Sequence, residues 1–113
     1  MPKRVLVVED ESIVAMLLED VLADCGCEMV GPATNVAEAL RLIDGGGLDL
    51  ALLDVNLGAG ATSFPVAEAL KARSVPFVFV TGYGVDGVRP DLRDAPVVPK
   101  PIDIATLQRV VLG

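Results

Sequence analysis

The 113-residue sequence contains no histidine and no tryptophan, and it has only two cysteines, one tyrosine and three phenylalanines. Without histidine, the chain cannot build a histidine-based metal site or use a histidine general base. Cys25 and Cys27 flank a single glycine. A metal site needs more ligands and usually a wider spacing, so we expect two reduced thiols here.

Basic residues are also scarce, since nine lysines and arginines face sixteen acidic residues, for a net charge of −7. Binding to a phosphate backbone needs clustered lysine and arginine. Arg89 and Arg93 lie near each other, but Asp86, Asp91 and Asp94 surround them. The sequence therefore predicts no nucleic-acid partner.

Long apolar runs are missing as well, which argues against membrane insertion. The first apolar run follows Lys3 and Arg4 and is closed by Glu9 and Asp10, where a signal peptide would need a small-residue cleavage site. We therefore expect a cytoplasmic protein. The length predicts one domain, residues 1–113, with a core of its own.

The most informative stretch present is Leu50-Ala51-Leu52-Leu53-Asp54, a short apolar run that ends in a carboxylate. Such a run is typical of a strand buried on both faces, as in a parallel sheet covered by helices. In these sheets the functional crevice lies beyond the carboxyl ends of the strands. Asp54 is therefore predicted to lie in that crevice.

Strand and helix patterns alternate along the whole chain, which predicts one doubly wound α/β domain. The expected fold is flavodoxin-like, with a five-stranded parallel sheet in the order 2-1-3-4-5 and five helices. Strands are predicted at residues 4–8, 27–30, 50–53, 76–80 and 96–98, the second of them broken by Gly31-Pro32.

Capping residues predict where most helices begin. Ser12 is the expected N-cap of the first helix, Asn35 with Glu38 resembles a capping box, and Asp103 caps the last helix. The third helix is predicted at residues 64–73, and the fourth, at residues 85–94, should be short or mobile because it contains glycine and proline. The predicted inward faces are Val14, Leu17, Leu18, Val21, Leu22 and Cys25 in the first helix, and Ile104, Leu107, Val110 and Val111 in the last.

Five polar residues fall at strand ends: Glu9, Asp10, Asp54, Thr81 and Lys100. In the predicted sheet they converge on one crevice. Two carboxylates ~5 Å apart repel by about 3 kcal/mol at an effective dielectric of 20, so three of them need a cation. Hard oxygen ligands close to a phosphate site favour Mg²⁺.

This set of residues suits phosphoryl transfer to a carboxylate. An oxygen of Asp54 would attack phosphorus in line, while the cation and Lys100 stabilise the phosphoryl oxygens. Thr81 would then donate its hydroxyl to a phosphoryl oxygen, a contact made only after phosphorylation. Thr81 is therefore a candidate trigger for a two-state change.

At this point the chain resembles the receiver domain of bacterial two-component response regulators. The resemblance is carried by Val7-Val8-Glu9-Asp10-Glu11, Leu52-Leu53-Asp54, Val80-Thr81-Gly82 and Pro99-Lys100-Pro101. It implies phosphorelay signal transduction with Asp54 as phosphoacceptor. It implies that Glu9, Asp10 and Asp54 bind Mg²⁺ with the backbone carbonyl of Asn56, and that a cis peptide follows Lys100.

The same resemblance implies the partners of the chain. The phosphoryl donor would be a phosphohistidine on a histidine kinase or a histidine phosphotransfer protein, and phosphorylation would switch binding to a downstream protein target. We expect a stand-alone receiver, as a monomer or weak dimer, although a domain excised from a longer protein fits equally.

One position departs from the family pattern. Val97 stands where the family usually has an aromatic residue, three positions before the lysine. The fourth strand, ending Val80-Thr81-Gly82-Tyr83, is similar to a subfamily named for a Phe-Ala-Thr-Gly-Tyr motif. We hypothesise that Tyr83 senses the phosphate in place of an aromatic at position 97, with order–disorder of residues 85–94 as the moving part. A surface tyrosine that only stabilises its own loop is the alternative.

Two other functions compete with the receiver interpretation. An aspartyl-nucleophile phosphatase would need an acid/base aspartate two positions after Asp54, and Asn56 cannot transfer that proton. A phosphorylation-independent interaction module is the second, and the intact acidic residues and Lys100 argue against it. We therefore expect no enzyme beyond catalysis of the chain's own phosphorylation and dephosphorylation.

Overall fold

The structure is a computed structural model, and it describes residues 2–82 and 84–113. Strands and helices alternate as expected. The elements are β1 Arg4–Val8, α1 Ser12–Asp24, β2 Glu28–Ala33, α2 Val36–Asp44, β3 Leu50–Asp54, α3 Phe64–Ala72, β4 Phe77–Thr81, β5 Val97–Pro99 and α4 Ile104–Leu112.

The five strands form one parallel sheet in the order β2-β1-β3-β4-β5, which confirms the predicted topology. The register aligns Val8 with Leu53, and Leu53 with Phe79. The carboxyl ends of β1, β3, β4 and β5 therefore lie side by side.

A separate apolar core covers each face of the sheet. Alternate strand residues point to opposite faces, so Leu53 and Phe79 pack towards α2 and α3, whereas Leu52 and Val80 pack towards α1 and α4. Every residue of β3 is buried. This agrees with the inference that a continuous apolar run marks a strand covered on both sides.

The second strand does not end where the sequence predicted. It continues through Gly31 and Pro32 to Ala33, and its register with β1 shifts between Leu6 and Val8. Gly31 has a φ of +104°, and a Cβ there would lie 2.9 Å from the Val7 carbonyl oxygen. Gly31-Pro32, which contains a cis peptide bond, is therefore a bulge inside the strand rather than its end.

The first turns of α1 and α4 also differ from expectation, the first in its capping residue and the second in the residue that faces the core. Ser12 is the first residue of α1 rather than its N-cap, because the Ala15 N–H donates to the Glu11 carbonyl and makes Glu11 the capping position. Ile104 was predicted to face inward, but it is 47% exposed. Ile102, just before the helix, packs against the core in its place. The other predicted inward residues of both helices are buried or packed at the edge of the core.

Instead of a fourth α-helix, residues 84–94 contain two 3₁₀ turns, Val85–Gly87 and Pro90–Leu92. Glycine and proline in this segment oppose a regular helix, so the described residues contain four α-helices where five were predicted. Val88 and Leu92 are buried and anchor the segment to the core.

The cysteines and the helices agree with the expected thiol state and with the lack of long apolar runs in the sequence. Cys25 and Cys27 are free thiols, as expected. No helix within residues 2–82 and 84–113 combines the length and the apolar character that a bilayer crossing requires.

The predicted cap of α2 is present and gives a test of the local folding argument. The Asn35 side chain accepts a hydrogen bond from the Glu38 N–H at 2.9 Å. We expect Asn35→Ala to lower the free energy of unfolding by about 1 kcal/mol, measured by urea denaturation. Asn35→Ser keeps an oxygen at the N-cap and should cost only a few tenths of a kcal/mol. Equal losses in both variants would contradict the capping role.

Candidate functional site

The predicted site residues come together at the carboxyl edge of the sheet. Asp54 ends β3 and Thr81 ends β4, while Glu9 and Lys100 directly follow β1 and β5. The Lys100 N–H donates to the Thr81 carbonyl at 2.9 Å, which holds the two strand ends together. The peptide bond from Lys100 to Pro101 is cis, as the resemblance implied.

A cavity of about 720 Å³ opens above this edge. Asp54, Thr81 and Lys100 lie in its lining, so the predicted acceptor, hydroxyl and cation face one space. The remaining lining residues are Glu11, Asn56, Gly82 and Gly87.

Four carboxylates form a compact cluster beside this cavity. Glu9, Asp10, Glu11 and Asp54 each offer one oxygen, and these oxygens all lie within 4.8 Å of one another. Glu9 and Asp54 are buried, whereas Asp10 and Glu11 are exposed. The grouping of Glu9, Asp10 and Asp54 was predicted from the strand ends.

Two residues of the site were not foreseen. Glu11 joins the cluster because its N–H donates to Glu9 Oε1 at 3.2 Å, in the turn that leaves β1. Gly58 lies so close to Asp10 that a Cβ there would be 3.2 Å from the carboxylate, and its φ is +83°. Glu11 belongs to the acidic run after β1, and Gly58 belongs to the glycine-rich loop after β3. These positions were the sequence signals that could have identified the two residues as part of the site.

Lys100 balances part of this negative charge. Its Nζ lies 3.3 Å from Asp54 Oδ2, 3.4 Å from Glu9 Oε2 and 3.6 Å from Glu11 Oε1. This ammonium lies near three of the four carboxylates of the cluster, so the cluster keeps a strong negative charge.

The pKa values of Glu9, Asp54 and Lys100 reflect both their burial and the excess of carboxylates around them. Burial, together with the charge of Asp54, raises the pKa of Glu9 to about 7. Burial also raises the pKa of Asp54, although Lys100 opposes the shift. Burial alone would lower the pKa of Lys100, but the carboxylates of Glu9 and Asp54 outweigh it and raise that pKa.

The donor set fits a hard divalent cation. All its ligand atoms are carboxylate oxygens, the type that Mg²⁺ prefers. Glu9 Oε2 is buried and, although it lies near Lys100, it has no hydrogen-bond partner within residues 2–82 and 84–113. A buried carboxylate oxygen without a hydrogen bond is costly, and a cation in the cluster would satisfy it.

This environment predicts that metal-free protein loses stability as pH rises. The folded pKa of Glu9, about 7, lies above its ordinary value of 4.5, so the folded protein keeps a proton that the unfolded chain releases. This contribution is complete below pH 4.5 and is lost as pH rises through about 7. We expect the free energy of unfolding in chelator to fall by about 2–3 kcal/mol over this range.

Urea denaturation at several pH values measures this effect. Excess Mg²⁺ should restore the stability at high pH, and Glu9→Gln should remove most of the slope. Glu19→Gln, at an exposed position of α1, is the matched control and should keep the slope. A Glu9→Gln protein with the full pH dependence would contradict this account of the cluster.

Of the residues predicted to take part in a switch, Val97 and Thr81 lie among the described residues. Val97 pairs with Phe79 across β4 and β5 and packs, half-buried, against the core on the α3 side. Tyr83 lies outside the described residues. Thr81 is buried at the end of β4, next to the cavity.

Comparison with known proteins gives a consistent family. The model of the response regulator receiver domain matches residues 5–112. The transcriptional regulatory protein PdtaR of Mycobacterium tuberculosis is 31% identical over 109 residues, which cover 94% of this chain and 53% of PdtaR. The phyllosphere-induced regulator PhyR of Methylorubrum extorquens is 30% identical over 116 residues, which cover 98% of this chain and 43% of PhyR. The chain spans about half the length of these curated relatives.

Solved structures agree in fold over most of their length. The solution structure of SdrG from Sphingomonas melonis Fr1 superposes with a TM-score of 0.87 at 45% identity, covering 98% of this chain and 94% of SdrG. The solution structure of the BeF₃-activated conformation of SdrG from Pseudomonas melonis Fr1 superposes with a TM-score of 0.82 at 46% identity. The match covers 96% of this chain and 92% of that one.

Proposed function

This chain belongs to the response regulator receiver domain family, and on that premise we propose that it acts in phosphorelay signalling by accepting a phosphoryl group on Asp54. The observation that carries the proposal is the position of Lys100. Its ammonium lies 3.3 Å from Asp54 Oδ2 and 3.4 Å from Glu9 Oε2, at the floor of an open cavity. An aspartyl nucleophile, a fixed cation and room for a phosphoryl group therefore adjoin one another.

The reaction is a transfer between two nucleophiles. An Asp54 oxygen forms a bond to phosphorus while the phosphorus–nitrogen bond of a donor phosphohistidine breaks. The electron pair of that bond returns to the imidazole nitrogen, which takes a proton from solvent. The product is an acyl phosphate on Asp54. Lys100 stays beside the phosphoryl oxygens and stabilises their charge throughout.

Glu9, Asp10, Asp54 and the carbonyl oxygen of Asn56 would hold Mg²⁺ in this site. When bound, the ion neutralises charge on the phosphoryl oxygens and on the carboxylate cluster. Asp10 and Asn56 are both exposed at the rim, which leaves that side of the cluster accessible from solvent.

Thr81 is the proposed reader of the phosphorylated state. Its hydroxyl donates to a phosphoryl oxygen on Asp54, and that contact exists only in the product. Tyr83 and Val97 are the proposed second part of the switch. At position 97 a valine packs against Phe79, so the movement that an aromatic residue would make there has to come from elsewhere.

The partners follow from this chemistry. The donor is a histidine kinase or a histidine phosphotransfer protein, and the phosphorylated chain changes its affinity for a downstream protein target. We propose a cytoplasmic receiver domain over residues 1–113 that acts as a monomer or weak dimer and does not bind nucleic acid. It is a signalling module rather than a turnover enzyme.

Labelling stoichiometry tests the function. With a radiolabelled histidine phosphotransfer protein and Mg²⁺, the chain should take up at most one phosphoryl group per molecule, and chelator should prevent uptake. Steady release of phosphate from a simple phosphomonoester, with no labelled protein, would overturn the proposal in favour of a phosphatase. Absence of label with every histidine kinase of the source organism and with acetyl phosphate would overturn it in favour of a phosphorylation-independent module.

A further inference from the structure

Arg89 connects the irregular segment after β4 to helix α3. Its Nη2 lies 2.5 Å from Glu68 Oε1, and its Nε and Nη2 lie 2.6 and 2.9 Å from the two oxygens of Asp91. The guanidinium also lies over the Phe64 ring, 5.8 Å from its centroid. One side chain thus makes a forked carboxylate pair, a second ion pair and a cation–π contact.

The segment that carries Arg89 has little structure of its own. Residues 84–94 form two three-residue 3₁₀ turns, whose hydrogen bonds have poorer geometry than those of an α-helix. The Gly87 N–H donates to Gly84 at 3.2 Å, and the Leu92 N–H donates to Arg89 at 2.9 Å. Val88 and Leu92 are the buried residues among those of this segment whose burial is described.

The position of this segment matters because it forms part of the cavity over Asp54. Gly87 lies in the lining of that cavity, two residues before Arg89. On the other side, Phe64 packs edge-to-face on Phe79 at 6.1 Å, and Phe79 lies two residues before Thr81 in β4. Arg89 therefore connects the segment that contains Gly87, on the cavity wall, with α3. Helix α3 in turn packs against β4, the strand that ends at Thr81.

We propose that Arg89 is a conformational clasp, which docks residues 84–94 on α3 and so fixes the Gly87 wall of the cavity in the unphosphorylated protein. An exposed ion pair is usually worth little. Here the contacts with Glu68 and Phe64 act together between the segment and α3, while Asp91, within the segment, orients the guanidinium. Because the segment has few other contacts to hold it, even a small energy from Arg89 changes how often the segment opens. The clasp can release without unfolding the sheet, because Asp54 pairs with Val80 in the sheet and the Lys100 N–H donates to the Thr81 carbonyl. Neither contact involves Arg89.

This inference concerns the unphosphorylated chain, so it can fail or hold independently of phosphoryl transfer. Amide hydrogen exchange, followed residue by residue in the full chain without phosphodonor, measures the opening. We expect Arg89→Met to accelerate exchange at Gly87 and Leu92 about fivefold and Glu68→Gln to produce most of that effect. The double variant should match Arg89→Met alone, since both substitutions remove the same contact.

Arg73→Met is the matched control. Arg73 makes a similar exposed pair, with Asp44 at 2.9 Å, and it also donates to the Ile43 carbonyl, so these contacts hold it to α2. Exchange at Gly87 and Leu92 should be unchanged in this variant. Raising the salt concentration should accelerate exchange in the wild type and leave Arg89→Met unaffected, because salt screens exposed charges. Unchanged exchange in Arg89→Met, an equal effect of Arg73→Met, or an equal acceleration at Leu107 in α4 would overturn the clasp.

Discussion

Replacing Lys100 with methionine will slow phosphorylation of Asp54 by about 10²–10³-fold, the usual cost of removing one preorganised charge-stabilising donor. The Lys100 ammonium lies 3.3 Å from Oδ2 of Asp54, the proposed nucleophile, and it is the one cation among the residues that line the cavity in the described chain. Methionine keeps the length of the side chain and removes the charge. The rate is measured with acetyl phosphate and Mg²⁺ by separating modified from unmodified protein.

The same substitution will also destabilise metal-free protein. Glu9 and Asp54 are buried and would lose their nearest positive charge, at an expected cost of about 2–3 kcal/mol near pH 8. Proton uptake limits that cost, because the pKa values of both carboxyls are already raised. Lys71→Met, at an exposed site of α3, should change neither rate nor stability. A Lys100→Met protein that is phosphorylated at the wild-type rate would exclude a role of the lysine in transfer.

Asp54→Asn should have opposite effects on function and on stability. It removes the proposed nucleophile and should therefore abolish the phosphoryl adduct. It also removes one of two buried, repelling carboxylates, so metal-free protein should gain roughly 1–2 kcal/mol of stability at pH 8. Because protonation of Glu9 already relieves the repulsion in acid, this gain should fade below pH 5.

Urea denaturation at pH 8 and pH 5, in the presence of chelator, measures the stability effect. Asp49→Asn, at an exposed position just before β3, is the control for loss of one acidic charge far from the cluster. A stability loss at pH 8 in Asp54→Asn would show that the cluster does not carry the repulsion described above. Persistence of the adduct in this variant would place the phosphoacceptor elsewhere.

The parallel sheet could be predicted from the sequence because its signal is local. The apolar run from Leu50 to Leu53 is continuous, so it indicates a strand covered on both faces whatever lies around it. The end of β2 could not be predicted in this way. Gly31 and Pro32 break a strand by local rules, and their place inside β2 depends on a bulge against β1, a contact distant in sequence.

The site was predictable to the extent that its residues stand at strand ends. Glu9, Asp54, Thr81 and Lys100 converge because parallel strands bring their carboxyl ends to one edge. Glu11 and Gly58 depend on how the turns after β1 and β3 fold back, which no spacing rule describes. The link from Arg89 to Glu68 likewise joins two elements whose relative placement is set by the tertiary fold.

The central claim is that Asp54 is the one side chain that takes up phosphate. The most direct measurement is intact-protein and peptide mass spectrometry after incubation with acetyl phosphate and Mg²⁺, in wild type and in Asp54→Asn. The account predicts a single phosphoryl adduct in the wild type, located in the peptide that contains Asp54, and none in the variant. A wild-type protein without an adduct, or an adduct on any other residue, would contradict it.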